Sequence, residues 1–209
     1  MEEPQTRWEK LFEIAEVAVL AIVAIATAYS GYQGTKWGGE QARLYGLAST
    51  TRFEAEAAST LGGQQLVADS GFFTAWLQAH AAGDAKLETM IAARFTPEYA
   101  DAFQAWLATD PFTNPDAPAG PAYMPGFANP LMTKAAQLND QASVYFATGT
   151  TARETANKYI RQTVLFASVL FLVAIAQRFR LRGVRIAANA LALTLLLYAL
   201  YGVERLARI

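Results

Sequence analysis

The sequence contains no cysteine and only one histidine, His80. Without thiols the chain can form no disulfide, no iron–sulfur cluster and no thiolate nucleophile. Hydrolytic and metal chemistry usually needs a nucleophile with a base, or several converging ligands, and no HExxH motif, phosphate loop or dinucleotide fingerprint is present. We therefore predict a protein that is not an enzyme, with no catalytic residues, no metal and no cofactor. His80 is predicted to be a surface or helix-end residue.

A large net charge is also missing. The 17 basic and 18 acidic residues give a formal net charge of -1, so no global basic field attracts nucleic acid. The mean hydropathy of +0.15 averages very apolar segments with a polar, alanine-rich middle region. This distribution predicts an integral membrane protein with one region exposed to water.

Three apolar runs, residues 14–30, 159–179 and 184–203, are each long enough to cross a bilayer. About 20 residues at about 1.5 Å rise match a hydrocarbon core of about 30 Å. The first run follows an acidic, interfacial segment, residues 1–13, and ends in an Ala-Thr-Ala sequence typical of signal-peptide cleavage. A signal peptide begins with positive charge, whereas this segment is net negative, so we predict an uncleaved first span.

Small residues form one face of the first span and continue just beyond it, at Ala21, Ala24, Ala28 and Gly31. In lipid no hydrophobic effect drives helices together, and small residues let their backbones approach closely. The pattern predicts packing of this face against another helix, either of this chain or of a neighbouring copy.

Glu13 and Glu16 lie three residues apart at the start of the first span and so share one helix face. A charged residue at mid-bilayer costs about 2.5 to 3.5 kcal/mol, which makes such acids functional candidates. In an oligomer they would form two rings that select cations. The alternative interpretation places both at the headgroup level, paired with Arg7, Lys10 or an arginine of the hairpin described next.

Four arginines and no acid lie between and beside the adjoining ends of the second and third spans: Arg178, Arg180, Arg182 and Arg185. Such clusters stay on the cytoplasmic side of a membrane and attract anionic lipid headgroups. With two further basic residues in segment 1–13 they outnumber the two in the tail, residues 204–209. The predicted orientation has the N-terminus in the cytoplasm, and residues 31–158 and the C-terminus outside.

Residues 31–158 are too polar to enter lipid and have the composition of helices. We predict an all-α fold in which they form an extramembrane cap inserted between spans 1 and 2. Residues 41–68 are predicted to continue the first span as a long helix, and residues 71–82 form a second helical stretch. Residues 131–158 are predicted to enter the second span without a break.

The rest of this region contains two sequence patterns that are typical of helix N-termini. Asp84 is predicted to be the N-cap of a helix that runs to about residue 95. Thr96, Pro97 and Glu98 are predicted to supply the N-cap, the first-turn proline and an acid that suits the helix dipole of the next helix.

Residues 109–130 contain six prolines and no periodicity, which predicts a long loop. A loop of this length is either mobile or held by specific contacts, and its apolar side chains favour contacts. The candidates for binding a partner are Phe112, Tyr123, Met124 and Phe127.

Among the uncharged polar residues of the membrane spans are Gln162 and Ser168 in the second span and Asn189 and Thr194 in the third. We predict that they form hydrogen bonds between helices, each worth about 0.6 kcal/mol on average.

Three stretches resemble a family of predicted bacterial membrane proteins, mostly uncharacterised, with three spans and a large loop after the first. They are ATAYSGYQGTKWGGEQA after the first span, RFTPEYADAFQAWLATDPFTNPDAP in the middle region and TVLFASVLFLVAIAQRF in the second span. The resemblance implies the three-span architecture and a bacterial inner membrane. It implies no activity and no catalytic residues.

The pattern as a whole favours an interaction protein: an accessory or structural subunit of a larger or homo-oligomeric inner-membrane assembly. Its partners would be membrane lipids and other membrane subunits or copies of itself, and no nucleic acid. One alternative is a homo-oligomeric cation channel lined by the first span, with Glu13 and Glu16 at the inner mouth. Another is a periplasmic sensor or scaffold that binds through the loop at residues 109–130.

Overall fold

The computed structural model describes residues 7–179 and 181–208, without the side chains of residues 7–13 and 182. All regular structure in this part of the chain is helical, and three of the helices are long and apolar enough to cross a membrane. The all-α class and the three candidate spans are thereby confirmed. The elements are α1 (Arg7–Ala82), α2 (Ala85–Ala92), α3 (Pro97–Leu107), a 3₁₀ turn (Pro121–Tyr123), α4 (Pro130–Ala176) and α5 (Arg182–Glu204), and the candidate spans lie in α1, α4 and α5.

Helix α1 is a single helix of 76 residues. The prediction of a separate helical stretch over residues 71–82 is wrong, because the helix predicted over residues 41–68 continues without a break through residues 69–82 and includes Gly62, Gly63 and Gly71. A glycine weakens a helix by about 1 kcal/mol relative to alanine but does not end it when neighbouring contacts support the helix. At Gly62 the lack of a side chain is needed, since a Cβ there would lie 2.8 Å from Cγ of Met132 in α4.

The predicted helix starts are confirmed. The Asp84 carboxylate accepts a hydrogen bond from the Leu87 backbone N–H at 3.0 Å, and Pro97 occupies the first turn of α3 after Thr96. The Thr96 side chain, however, makes no cap: its hydroxyl and its backbone N–H both donate to the carboxylate of Asp69, at 2.6 and 2.9 Å. Helix α4 runs unbroken from Pro130 to Ala176, as predicted for residues 131–158.

The chain forms two compact units, and α1 and α4 contribute to both. The central unit comprises residues 47–145. Its core is aromatic, with ring centroids 4.8 Å apart between Trp76 and Phe103 and 5.1 Å apart between Phe95 and Tyr99. These rings come from α1, α3 and the α2–α3 connection and bury one continuous apolar cluster.

The terminal unit comprises the residues up to 46 and from 146 onward. Its core cluster consists of small and branched side chains from α1, α4 and α5 with one aromatic ring: Val23, Phe166, Val169, Val173, Ala192, Leu196 and Ala199. Glycines lie where the helices approach closely. A Cβ at Gly34 would lie 3.5 Å from Tyr159 Cβ, and one at Gly149 would lie 2.7 Å from the Tyr45 ring.

Candidate functional site

Among its described side chains, the terminal unit buries one carboxylate, that of Glu16, against helix α5. Glu16 is only 6% exposed, and both of its oxygens accept hydrogen bonds from Arg185, at 3.0 Å from Nε and 2.8 Å from Nη2. The side-chain amide of Asn189 donates a further bond at 2.8 Å. Arg185 and Asn189 are four residues apart on α5 and so project from the same face. Helix α1 is thereby tied to α5 by three hydrogen bonds on one carboxylate.

Helical periodicity explains why Glu16 points inward. Val23 and Ser30 follow it at intervals of seven residues, close to two turns of an α helix, and both are fully buried. Burying a carboxylate is costly unless it is paired and hydrogen-bonded, and the parallel fork of an arginine is the best partner available. The arrangement is an ion pair in which the negative charge is fully matched.

Several predicted site residues fall outside what the structure describes. These are the side chains of Glu13 and Arg182, and the whole of Arg180. Of the remaining hairpin arginines, Arg185 is paired with Glu16 and Arg178 is exposed. The structure therefore brings Glu16 together with one hairpin arginine and leaves Arg178 at the surface.

The predicted helix-packing residues are not covered by the described part of this chain. Ala21, Ala24 and Ala28 are exposed, and nothing lies within 4 Å of the position that a Cβ on Gly31 would occupy. They lie on the side of α1 that is turned away from Val23. Packing of this face against a helix of the same chain is thus not observed among the described residues.

A second polar layer lies farther along α1, and it was largely missed at the sequence level. The Ala207 carbonyl accepts hydrogen bonds from the Trp37 indole and the Tyr159 hydroxyl, both at 3.0 Å. The amide of Gln33, which is 4% exposed, donates to the Tyr29 hydroxyl at 3.3 Å. One feature of the sequence could have indicated this polar layer: the helical spacing of Gln33 places it on the same side of α1 as Val23 and Ser30.

Of the four polar residues predicted to link helices, only Asn189 is seen to do so. The hydroxyls of Ser168 and Thr194 donate to the carbonyls four residues earlier in their own helices, at 3.0 and 2.9 Å. Gln162 is buried beneath Gly202 of α5, and its carbonyl oxygen makes no hydrogen bond within the described structure. For Ser168 and Thr194 the prediction is wrong, because a hydroxyl can reach its own backbone without leaving the helix.

The loop after α3 is ordered by contacts within the central unit. The Trp106 indole donates to the Pro118 carbonyl at 2.7 Å, and the Phe73 ring lies 3.1 Å from the position of a Cβ on Gly120. Among the predicted partner residues, Met124 and Phe127 pack against the aromatic core. Phe112 and Tyr123 remain 56% and 74% exposed, so these two offer more apolar surface to a partner than the partly buried Met124 and Phe127.

His80 lies in the last turn of α1 and is exposed, as predicted. Its ring stacks against both Trp76 and Phe112, with centroids 4.9 and 4.7 Å away, and Nδ1 lies 3.3 Å from a carboxylate oxygen of Glu88. Across the described residues no group of three or more histidine, aspartate or glutamate side chains could hold a metal ion. The contacts of His80 are those of a residue that joins the end of α1 to the loop.

Comparisons with protein-family models, with curated protein sequences and with solved structures found no match. What the chain does has to be inferred from its own residues.

Proposed function

We propose that this chain is a non-enzymatic, multi-pass membrane protein that acts as an accessory or structural subunit of a larger or homo-oligomeric assembly. The exposed small-residue face of α1, defined by Ala21, Ala24, Ala28 and Gly31, is its contact with a neighbouring copy or another subunit. Small residues in a membrane helix are typical of surfaces on which another helix packs.

The observation that carries this proposal is the way the same chain uses its other glycines. Gly34, Gly149 and Gly202 each lie beneath a side chain of a neighbouring helix, and a Cβ at Gly202 would overlap Gln162. At Gly31 nothing lies within 4 Å of the position of a Cβ, as is also true of Gly38, Gly39, Gly46, Gly63 and Gly71 farther along α1. Gly31 differs from these in following directly on the first span and on the exposed Ala21, Ala24 and Ala28, where small residues are typical of a surface on which another membrane helix packs.

The proposed layout places the central unit as a helical cap on the periplasmic side of a bacterial inner membrane, between spans 1 and 2. The N-terminus is cytoplasmic and the C-terminus periplasmic, because basic residues concentrate at the start of α1, before the first span, and around the connection between α4 and α5. A reporter fused after Ile209 tests the orientation. Activity of an enzyme that works only in the periplasm is expected, and activity of a cytoplasmic reporter would reverse the layout.

The exposed loop side chains Phe112 and Tyr123 are a second contact of the proposed subunit, on the outer side. Deleting the loop would also remove the bond between Trp106 and Pro118, so point substitutions are the cleaner test. Phe112→Ser with Tyr123→Ser is expected to weaken association with a periplasmic partner while the chain stays folded. Unchanged association would remove the loop from the contact.

A cation channel lined by α1 is less well supported. Glu16 faces α5 and is saturated by Arg185, whereas the exposed face of α1 carries Ala21, Ala24 and Ala28. A pore lined by that face would therefore meet alanine, and the described residues offer it no ring of Glu16 carboxylates.

The assembly is tested by native mass spectrometry of the protein extracted from its own membranes. Ala28→Leu with Gly31→Leu is expected to reduce the particle to single chains, because two leucines prevent close approach of a second helix. Ala167→Leu on α4, also exposed and within a span, is the matched control and should leave the particle mass unchanged. An unchanged particle in the double variant would refute the proposal.

A further inference from the structure

Two polar side chains in the interior of the terminal unit have atoms without a hydrogen-bond partner. Ser30 of α1 is 0% exposed and Gln162 of α4 is 5% exposed. Within the described part of the chain, neither the hydroxyl oxygen of Ser30 nor the side-chain carbonyl oxygen of Gln162 takes part in a hydrogen bond. Buried polar atoms in native proteins are almost always hydrogen-bonded, because burial removes them from water. Two such atoms in one small core therefore indicate a ligand that binds them.

The packing of α1 against α5 brings the two side chains to the same level of the helices. Hydrogen bonds join Glu16 of α1 to residues 169 and 173 positions later, and they join Trp37 to a residue 170 positions later. The offset between the two helices is thus nearly constant, and it places Ser30 level with Gly202 of α5. Gln162 lies against Gly202, because a Cβ on that glycine would overlap its side-chain amide.

The packing of α1 against α4 gives the same result. A Cβ on Gly34 would lie 3.5 Å from Tyr159 Cβ, and α4 runs antiparallel to α1. Ser30 lies about one turn before Gly34, and Gln162 lies about one turn after Tyr159. Antiparallel helices place these two positions opposite each other. Ser30 and Gln162 therefore belong to one buried layer, although they come from different helices.

The hydroxyl of Ser30 is also not satisfied by its own helix. Thr27 and Thr35, which lie near it on α1, donate to the carbonyls four residues earlier, at 2.7 and 3.0 Å. The corresponding carbonyl for Ser30 is that of Ala26, and within the described structure no such bond is formed. The Ser30 hydroxyl is therefore directed away from its own backbone.

Water is the ligand that fits these two groups. The carbonyl oxygen of Gln162 can only accept a hydrogen bond, whereas the hydroxyl of Ser30 can donate one and accept others. A single water molecule can donate to the first and accept from the second. Buried waters typically make about two to four hydrogen bonds to polar groups that are otherwise unsatisfied. A hard metal cation takes about six oxygen ligands or more, and the two unpaired oxygens of Ser30 and Gln162 are too few for it.

We propose that one water molecule is bound in the interior of the terminal unit, between the Ser30 hydroxyl of α1 and the Gln162 side-chain carbonyl of α4. Gln162 then makes the link between helices that its place in the second span predicts, but makes it through water. The bridge joins α1 to α4 toward the end where Trp37 holds the tail, whereas Glu16 and Arg185 join α1 to α5 at the other end. The proposal does not depend on assembly, because every residue in it belongs to one chain.

The test is NMR spectroscopy of the full chain, perdeuterated and isotope-labelled, in detergent micelles. Nuclear Overhauser effects from water to amide protons report a water molecule that stays beside them. Cross peaks to water are expected at the backbone amide of Ser30 and at the side-chain amide of Gln162. The backbone amides of Val23 and Phe166, which are fully buried among apolar side chains, are the internal controls and should show none.

A substitution distinguishes bound water from the Ser30 hydroxyl, whose own proton exchanges with solvent. Gln162→Leu removes one of the two partners of the water and should abolish the cross peak at the Ser30 amide. A cross peak that persists in this variant would come from the hydroxyl and would overturn the proposal. Gln141→Leu, the same substitution at an exposed position of α4, is the matched control and should leave the cross peak unchanged.

The wild-type spectrum alone can also refute the water site. Absence of water cross peaks at both Ser30 and Gln162 would mean that the two side chains bond to each other directly, or that Ser30 bonds to the Ala26 carbonyl. If Gln162→Leu loses helix content by circular dichroism, Gln162→Met keeps the length of the side chain without its amide. The cross peak at Ser30 must then be lost in Gln162→Met for the proposal to stand.

Discussion

The central and terminal units bury different kinds of side chain. The central unit is built around Trp76, Tyr99, Phe103 and Trp106, whereas the buried cluster of the terminal unit contains one aromatic ring, Phe166, among valine, leucine and alanine. In water, large rings contribute most because each removes a large apolar area from solvent. In lipid that gain disappears, and close packing of small residues replaces it. The composition of each core thus follows from its proposed solvent.

The two units also differ in their polar contacts. In the central unit, Asp69 accepts two hydrogen bonds from Thr96 and fixes the start of α3. In the terminal unit, Glu16 and Arg185 place a complete ion pair between helices. Where apolar surfaces do not drive helices together, a polar contact of this kind selects which helix packs against which.

The largest difference is expected from truncating one buried phenylalanine in each unit. Phe103→Ala should lower the free energy of unfolding of the central unit by about 4 kcal/mol, since it loses both transfer free energy and packing. Phe166→Ala should cost clearly less, because lipid is as apolar as the core and only packing is lost. Urea unfolding monitored by hydrogen exchange in each unit measures the loss in free energy of unfolding for both variants. Equal costs would contradict the assignment of the two units to different solvents.

The ion pair provides the second test. Glu16→Leu leaves Arg185 without its partner, and we expect a loss of about 3 kcal/mol, as for other buried pairs that lose one charge. Glu16→Leu with Arg185→Leu should recover much of that loss, because no unpaired charge remains. Thermal unfolding in detergent measures the three variants. Additive effects of the two substitutions would show that the pair contributes no coupling.

Glycine-to-alanine substitutions distinguish glycines at close helix contacts from glycines on open surface. Gly149→Ala should destabilise the terminal unit by about 2 kcal/mol, because its Cβ would lie 2.7 Å from the Tyr45 ring. Gly63→Ala in the central unit has nothing within 4 Å and should stabilise α1 by about 0.5 to 1 kcal/mol. Melting temperatures of the two variants are compared. A gain at Gly149 would mean that the Tyr45 ring moves aside freely.

The smallest effect is a pH dependence of stability in the central unit. Burial raises the pKa of the Tyr99 phenol, the nearby Asp69 carboxylate raises it further, and a hydrogen bond with Ser70 opposes them. As the pH rises, the unfolded chain therefore loses the phenolic proton of Tyr99 at a lower pH than the folded chain does. The stabilisation is complete below the ordinary pKa of about 10 and is lost as the pH rises through the raised value. Between pH 8 and about 11, the free energy of unfolding of Tyr99→Phe should fall less steeply with pH than that of the wild type. Identical slopes of the two curves would contradict this prediction.

Much of the fold follows from local signals. Asp84 as a cap, Pro97 in a first turn and the unbroken course of α4 depend on neighbours in the sequence, and they were predicted correctly. The continuity of α1 from residue 68 to residue 71 was not, and the contact that holds the helix there comes from Thr96, which donates two hydrogen bonds to Asp69, 27 residues earlier. Local patterns cannot show which position of a helix has such a distant partner.

The candidate site was only partly predictable for the same reason. The sequence singled out Glu16 and four arginines but gave no ground for choosing among them. Arg185 is the partner because Asn189 follows it by one turn and both face α1, which only the packing of α5 against α1 determines. The uncovered face of α1 was predicted to pack, and the residues alone do not say on what.

The way in which the tail is held has a consequence for how its sequence can vary. Trp37 and Tyr159 both bind the backbone oxygen of Ala207 and none of its side-chain atoms. Every amino acid carries that oxygen. The two hydrogen bonds therefore depend on how far residue 207 lies from the end of α5 and not on which amino acid occupies the position. Substitutions at Ala207 should therefore be tolerated during evolution. A residue added or removed between Glu204 and Ala207 would instead move the oxygen out of reach of the Trp37 indole and the Tyr159 hydroxyl.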